Sequence, residues 1–334
     1  MGPAATIREP AGTLERVVPL DLLWLLSGLA LLIGGAELLV RGAVGLARRF
    51  RVPRLVIGLT VVAFGTSTPE LMVNLDAAFR DVQDIGFGNI IGSNIANIGL
   101  LLGVTALVSP IAVHANVVVR EIPMMVLVST AGLVIVADQL LAGRAVDLVD
   151  RGDGLILLLL FALFLHYLIV DLVRSRQAEE AGAVTPPRAW VTGGAIAAGV
   201  AGLVFGAQLT VTGAVGLAQA AGVSEVVIAL TLVAVGTSLP ELAICLVAAR
   251  QRQADLAVGN IVGSNIFNLA FILGLSTAID PMPVPARGLV DVCVMVGLAI
   301  VLLPMAVTRR TISRAEGAVL LSLYVTYVIW LAMR

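Results

Sequence analysis

Apolar runs close to bilayer length recur along the whole chain, at 19–40, 54–79, 85–109, 116–137, 154–173, 189–211, 225–249, 256–279, 288–307 and 315–333. A run of about 20 apolar residues crosses the hydrocarbon core as a helix. Lipid offers no partner to an unpaired N–H or C=O, so a chain that enters it this often must be helical. Charged residues make up 13% of the 334 positions. A soluble domain carries roughly 25%, so the polar surface that a soluble helical protein of this size needs is missing. The expected class is all-α: a polytopic membrane protein with about ten transmembrane helices.

The chain also repeats itself. Shifted by 171 residues, Leu59–Leu71 matches Leu230–Leu242 at ten of thirteen positions. Asp84–Asn97 matches Asp255–Asn268 at nine of fourteen, and Gly42–Ala47 equals Gly213–Ala218. A period this long marks two half-proteins and not a solenoid. Each half holds five apolar runs, and an odd number makes the second half enter the membrane from the opposite side. The arginines agree. Residues 41–54 carry five and the equivalent residues 212–225 carry none. Loops after odd-numbered spans, counted with Arg54 and Arg120 at the starts of the spans that follow, hold 14 of the 21 arginines, and there is no lysine. Because cytoplasmic loops collect Lys and Arg, both termini are expected outside and the polar linker 174–188 in the cytoplasm. The expected organisation is a polar tail 1–18, a five-helix repeat 19–173, the linker 174–188, and an inverted five-helix repeat 189–334. The tail is too polar for a signal peptide, and a bacterial-type plasma membrane is the expected location. Inverted repeats are typical of secondary transporters, whose site lies at the repeat interface near the midplane.

Two motifs recur at equivalent places. The first is GTSTPEL (65–71), repeated as GTSLPEL (236–242). Proline inside a helix removes a backbone bond, so the chain should break near Gly65–Pro69 and free carbonyls such as those of Ala63 and Phe64. Ser67-x-x-Glu70 also fits a capping box. A cap alone does not explain an ionisable group at membrane depth, which costs at least ~2.5 kcal/mol, placed twice. The second motif is GNIIGSNIAN (88–97), repeated as GNIVGSNIFN (259–268). Its GxxxG glycines favour close helix packing. Ser93 and Asn97 stand four apart and share a helix face, as do Ser264 and Asn268. Thr66, Ser67 and Glu70 would then meet Ser93 and Asn97, and the second copy would add Thr237, Ser238, Glu241, Ser264 and Asn268. Such a site offers only oxygen donors from carboxylate, hydroxyl, amide and carbonyl, which suits Ca²⁺ and disfavours softer metals. Two carboxylates make it −2. One Ca²⁺, two Na⁺ or two protons neutralise that charge, which is a physical basis for exchange.

The paired GTSxPEL and GNxxGSNxxN motifs resemble the two α-repeats of the Ca²⁺/cation antiporter superfamily, in particular its Na⁺/Ca²⁺ exchanger branch. The resemblance implies ten helices, both termini outside, and alternating access. It implies Ca²⁺ held mainly by Glu70 and Glu241. Na⁺ would use those residues with Thr66, Ser67, Ser93, Thr237, Ser238, Ser264 and the carbonyls of Ala63 and Ala234, while Asn97 and Asn268 complete the centre. Some members carry aspartate where this chain has Asn268, so this site holds two acids and not three.

The function expected is Ca²⁺/Na⁺ antiport. The alternatives are coupling to H⁺ or K⁺ on the same fold, or a passive cation channel. No HExxH, Ser–His or paired-Asp protease pattern is present, so an enzyme is not expected. No cofactor is implied. The partners are the transported ions and membrane lipid. No basic stripe with aromatics is present for nucleic acid, and a monomer is plausible. Cys245 and Cys293 lie in apolar runs and read as small buried hydrophobes. Glu37 reads as a helix contact and Asp76 as a candidate for an outer ion path. His114 and His166 read as interfacial or packed.

Overall fold

In a computed structural model the chain is described over residues 14–80, 83–137, 140–141, 143, 147–178, 188–223 and 236–333. Ala234, the beginning of the expected span 225–249, residues 179–187 of the linker and residues 1–13 of the tail lie outside them. The protein is a nearly all-helical, polytopic membrane protein. Among the described residues eight helices are long and apolar enough to cross a membrane, or nine if one bent pair counts as a span. The long helices are α1 (Leu14–Phe50), α4 (83–108), α5 (117–136), α6 (Arg151–Ala178), α7 (Ala189–Ala220), α9 (254–279), α10 (Gly288–Arg309) and α11 (Arg314–Ala332). The bent pair is α2 (Arg54–Thr66) and α3 (Thr68–Phe79), at 48°. The described part of the expected seventh span contains α8 (Leu239–Arg250).

Helices α1 and α7 run past the apolar stretches that mark them in the sequence. No breaker interrupts 41–50, so α1 continues to Phe50. It ends where Arg51 turns left-handed (φ 53°) ahead of Pro53, and α7 ends likewise before Gly222 (φ 77°). The two helices are equivalent in sequence and pack against each other antiparallel. A Cβ on Gly35 would meet Leu203 N at 2.8 Å, and one on Gly199 would meet Leu39 N at 2.6 Å. Only glycine permits such backbone contact.

The second equivalent pair, α4 and α9, forms the centre. Among the described spans they are the most deeply buried, and they too run antiparallel. Met282 lies against Gly86 at the start of α4, while His114, beyond the end of α4, sits 3.3 Å from Asp255 at the start of α9. Among the described residues four two-residue strands tie the loops together. Strand β1 (Ile111–Ala112) pairs with β4 (Thr311–Ile312), and β2 (Leu148–Val149) with β3 (Met282–Pro283). With Arg54 donating to Gln253 at 2.8 Å, these contacts gather the arginine-rich segments at the β1–β4 end of the bundle.

Several helices contain π turns, at Gly58–Val62, Asn97–Leu102, Val117–Glu121 and Phe267–Leu273. Cys245 is buried as expected, but Cys293 is exposed. It sits on a face of α10 shared with Val290 and Ile300, both also exposed. A helix surrounded by lipid does not need to turn an apolar side chain inward. Glu37 pairs with Arg41 at 3.3 Å, and Asp76 with Arg80 at 2.7 Å, each one turn apart and solvent- or lipid-facing.

Candidate ion-binding site

The helix break falls at Ser67 (φ −83°, ψ 10°), and Ser238 takes nearly the same conformation (φ −90°, ψ 5°) 171 residues on. Thr68 and Leu239 then open new helices. Pro69 and Pro240 lie in the first turns, where a missing N–H costs nothing. Glu70 and Glu241 follow in those first turns, where the helix dipole favours negative charge. The capping box does not form, because Ser67 makes no side-chain cap bond. Its hydroxyl is turned into the protein instead. The carbonyls of Ala63 and Phe64 are not left free either. Ala63 O accepts from Ser67 N at 3.0 Å, with Thr66 Oγ1 3.3 Å away, and Phe64 O accepts from Thr68 Oγ1 at 3.0 Å. Thr68 supplies Phe64 O with a donor at the break, while Ala63 O keeps its backbone donor.

Ser67 Oγ lies 3.2 Å from Glu241 Oε1 and 3.0 Å from Ser264 Oγ. In the equivalent arrangement Ser93 Oγ is 3.5 Å from Ser238 Oγ, and it donates to Glu70 Oε1 at 3.4 Å. Asn268 Nδ2 reaches Ser93 Oγ at 3.4 Å. Thus Glu70, Glu241, Ser67, Ser93, Ser238, Ser264 and Asn268 are brought together and buried. Thr66 is buried beside them and donates to Asn260 Oδ1 at 3.1 Å. Ala63 and Asn97 are buried as well, and Thr237 is half-buried.

Three asparagines were not singled out by the motif reading. Asn260 holds Thr66. Asn94 and Asn265 hold the two site asparagines: Asn268 Nδ2 donates to Asn94 Oδ1 at 3.1 Å, and Asn97 Nδ2 donates to Asn265 Oδ1 at 2.9 Å. These are the same bond made twice between α4 and α9. The signal that could have found them is that Asn94 and Asn265 recur at the 171 offset inside an apolar helix.

The second motif also explains how the helices meet. A Cβ on Gly263 would meet Leu59 O at 2.7 Å, and one on Gly259 would meet Leu55 O at 2.9 Å, so these glycines let α9 lie against α2. No described atom lies within 4 Å of a Cβ on Gly88 or Gly92. The segment equivalent to their expected partner falls among residues 224–235, outside the described residues.

Four buried oxygens at this centre have no hydrogen-bond donor among the described residues: Glu70 Oε2, Glu241 Oε2, Asn97 Oδ1 and Asn268 Oδ1. A buried acceptor without a donor costs about 1–3 kcal/mol, more if charged. All four are acceptors of the hard type that bind alkali and alkaline-earth cations. The nearby sulfurs of Met125 and Met295 accept from Asn265 and Asn94. Among the described residues no group of three His, Cys, Asp or Glu could hold a transition metal.

A family model described as sodium/calcium exchanger protein matches residues 20–170 and 192–333. The chain is 39% identical to the inner membrane protein YrbG of Escherichia coli, over 92% of this chain and 95% of that protein. It is 31% identical to the sodium/calcium exchanger MaX1 of Methanosarcina acetivorans, over 94% and 99%. A solved structure of the sodium-calcium exchanger NCX_Mj, soaked with 10 mM Na⁺ and zero Ca²⁺, is similar with a TM-score of 0.79 at 35% identity, covering 93% of this chain and 99% of that one.

Proposed function

The chain belongs to the sodium/calcium exchanger family, and from that premise we propose that it is a secondary antiporter exchanging Ca²⁺ for Na⁺ by alternating access. The observation that carries the proposal is the set of four buried oxygens without donors on Glu70, Glu241, Asn97 and Asn268. Two carboxylates give the centre a charge of −2 at membrane depth. One Ca²⁺ neutralises it, and so do two Na⁺. Either occupant relieves the same cost, so each competes with the other, and the centre without ions is penalised.

In this reading Ca²⁺ is bound by the two glutamates with the amide oxygens of Asn97 and Asn268. Sodium uses the glutamates together with Thr66, Ser67, Ser93, Thr237, Ser238 and Ser264 and the carbonyls of Ala63 and Ala234. The hydroxyls suit this role because each can turn its proton away from a cation and toward a neighbouring acceptor. The antiparallel packing of α1 on α7 and of α4 on α9 supports two inverted halves, 19–173 and 189–334, with the site between them. An inverted pair has two arrangements related by exchanging the roles of its halves, which is what alternating access needs. The gathering of arginines at the β1–β4 end supports that end as cytoplasmic, with both termini outside.

Ca²⁺ uptake into proteoliposomes, with only the Na⁺ gradient varied, tests the proposal. Uptake that follows the outward Na⁺ gradient supports it. Uptake that ignores Na⁺ and follows an imposed pH or K⁺ gradient replaces the coupling ion. Single-channel currents would replace the antiporter with a channel.

A further inference from the structure

Asn94 and Asn265 lie outside the proposed ion ligands, yet both are buried and each accepts from an asparagine inside that set. An asparagine amide has a donor end and an acceptor end of nearly the same shape. Only the oxygen end attracts a cation, and the N–H end repels it. Something must decide which end of Asn97 and Asn268 faces the ion.

For Asn268 the hydrogen bonds force the choice step by step. The backbone carbonyl of Asn265 can only accept, so Asn94 turns Nδ2 toward it, at 3.3 Å. Met295 Sδ, at 3.6 Å, takes the other N–H of Asn94. Asn94 Oδ1 is thereby left facing Asn268. Opposite an acceptor, Asn268 must present its own Nδ2, at 3.1 Å, with Ser93 Oγ at 3.4 Å as the second acceptor. Both protons of Asn268 are then used, and Oδ1 has no donor among the described residues. The mirrored chain is looser at its root. Asn265 Nδ2 is held by Met125 Sδ at 3.4 Å, and a thioether is a weaker acceptor than a carbonyl.

We infer that Asn94 and Asn265 are positioning residues that lock the amides of Asn268 and Asn97 with their oxygens toward the cation, the Asn94 lock being the firmer. The inference rests on reading Asn97 and Asn268 as ion ligands. It deepens that reading by assigning the orientation of the ligands to two residues that touch no ion.

The test measures equilibrium binding of radiolabelled Ca²⁺ to the purified full-length protein, and maximal exchange in proteoliposomes. Asn94→Val and Asn94→Thr have the same shape and differ by one hydroxyl, which can donate to the Asn265 carbonyl or accept from Asn268. Removing the lock should weaken Ca²⁺ binding about tenfold in Asn94→Val and no more than about threefold in Asn94→Thr. Maximal exchange at saturating Ca²⁺ should fall less than binding does. Because Asn94 acts through Asn268, adding Asn94→Val to Asn268→Ala should cost less than about twofold beyond Asn268→Ala alone. Equal losses in the valine and threonine variants overturn the inference, as does a valine effect that persists undiminished in the Asn268→Ala background. If Asn268→Ala binds Ca²⁺ as the wild type does, the reading of Asn268 as a ligand falls and takes this inference with it. If Asn268→Ala weakens binding and Asn94→Val does not, only the positioning role falls. Should the valine variant not insert, the threonine variant decides alone: binding within threefold of wild type supports the lock, and a larger loss overturns it.

Discussion

Ser67 Oγ donates to Glu241 Oε1 at 3.2 Å across 174 residues of sequence. The residue at which one half breaks its helix is thus bonded to the acid of the other half. Any movement of the α2–α3 break moves a partner of Glu241, and any change in charge at Glu241 is felt at the break. The candidate site is therefore one unit, although its two motifs are far apart in the chain.

The charge of the centre gives the first prediction. Glu70→Gln and Glu241→Gln each keep the size of the side chain and remove half of the negative charge. Each should lower Na⁺-driven Ca²⁺ uptake on the order of a hundredfold, which corresponds to about 3 kcal/mol, the upper range for a bond to a charged group. Membrane insertion, checked by size-exclusion chromatography, should be unchanged. Near-normal uptake by either variant would remove that glutamate from the site.

Ser67 and Thr68 are neighbours with opposite commitments. The Ser67 hydroxyl reaches Glu241 and Ser264, whereas Thr68 bonds its own helix at Phe64 O. Ser67→Ala should raise the Na⁺ concentration for half-maximal exchange several-fold. Thr68→Ala should change it by less than about twofold, because it removes only a local bond near the exposed face. Equal effects of the two substitutions would contradict the geometry.

The close approach of α9 to α2 gives a stability prediction. Gly263→Ala places a Cβ 2.7 Å from Leu59 O, and backbone cannot yield as a flexible side chain does. Such overpacking should cost about 1–3 kcal/mol and lower the melting temperature in detergent. At Gly297 no described atom lies within 4 Å of the added Cβ, so Gly297→Ala should leave it nearly unchanged. A Gly263→Ala protein as stable as the wild type would mean that the two helices do not touch there.

The orientation is open to labelling. In a background lacking Cys245 and Cys293, Gln251→Cys should react with an impermeant maleimide only from the cytoplasm, and Ala286→Cys only from outside. Both positions are exposed and lie near opposite ends of the bundle. The reversed pattern would invert the protein in the membrane.

Much of this arrangement was legible in the sequence because its signals are local. Apolar length marks the spans, Ser–x–Pro–Glu marks the break, and a four-residue spacing puts Ser93 with Asn97 on one face. Asn94 and Asn265 escaped because their role is made between helices. A residue next to Ser93 points about 100° around the helix from it, and spacing alone does not say that α9 waits there. The outward direction of Cys293 escaped for another reason. In lipid an outward face is as apolar as an inward one, so periodicity loses the contrast that separates them in water.

The π turn at Val117–Glu121 bears on how a duplicated gene can age. Before it, the halves match at an offset of 171, as Pro110 does with Pro281. After it, Glu121 and Asp291 stand 170 apart, and so do Met125 and Met295. One residue has been gained or lost between the copies. In an ordinary helix that would rotate everything beyond it by about 100° and carry Met125 away from Asn265. Absorbed in a wide turn, the indel leaves each methionine against the asparagine of the opposite copy, at 3.4 Å and 3.6 Å. The two copies have thus drifted in length while their meeting surfaces stayed in step, and a comparison of the halves at one constant offset would lose that correspondence at residue 117.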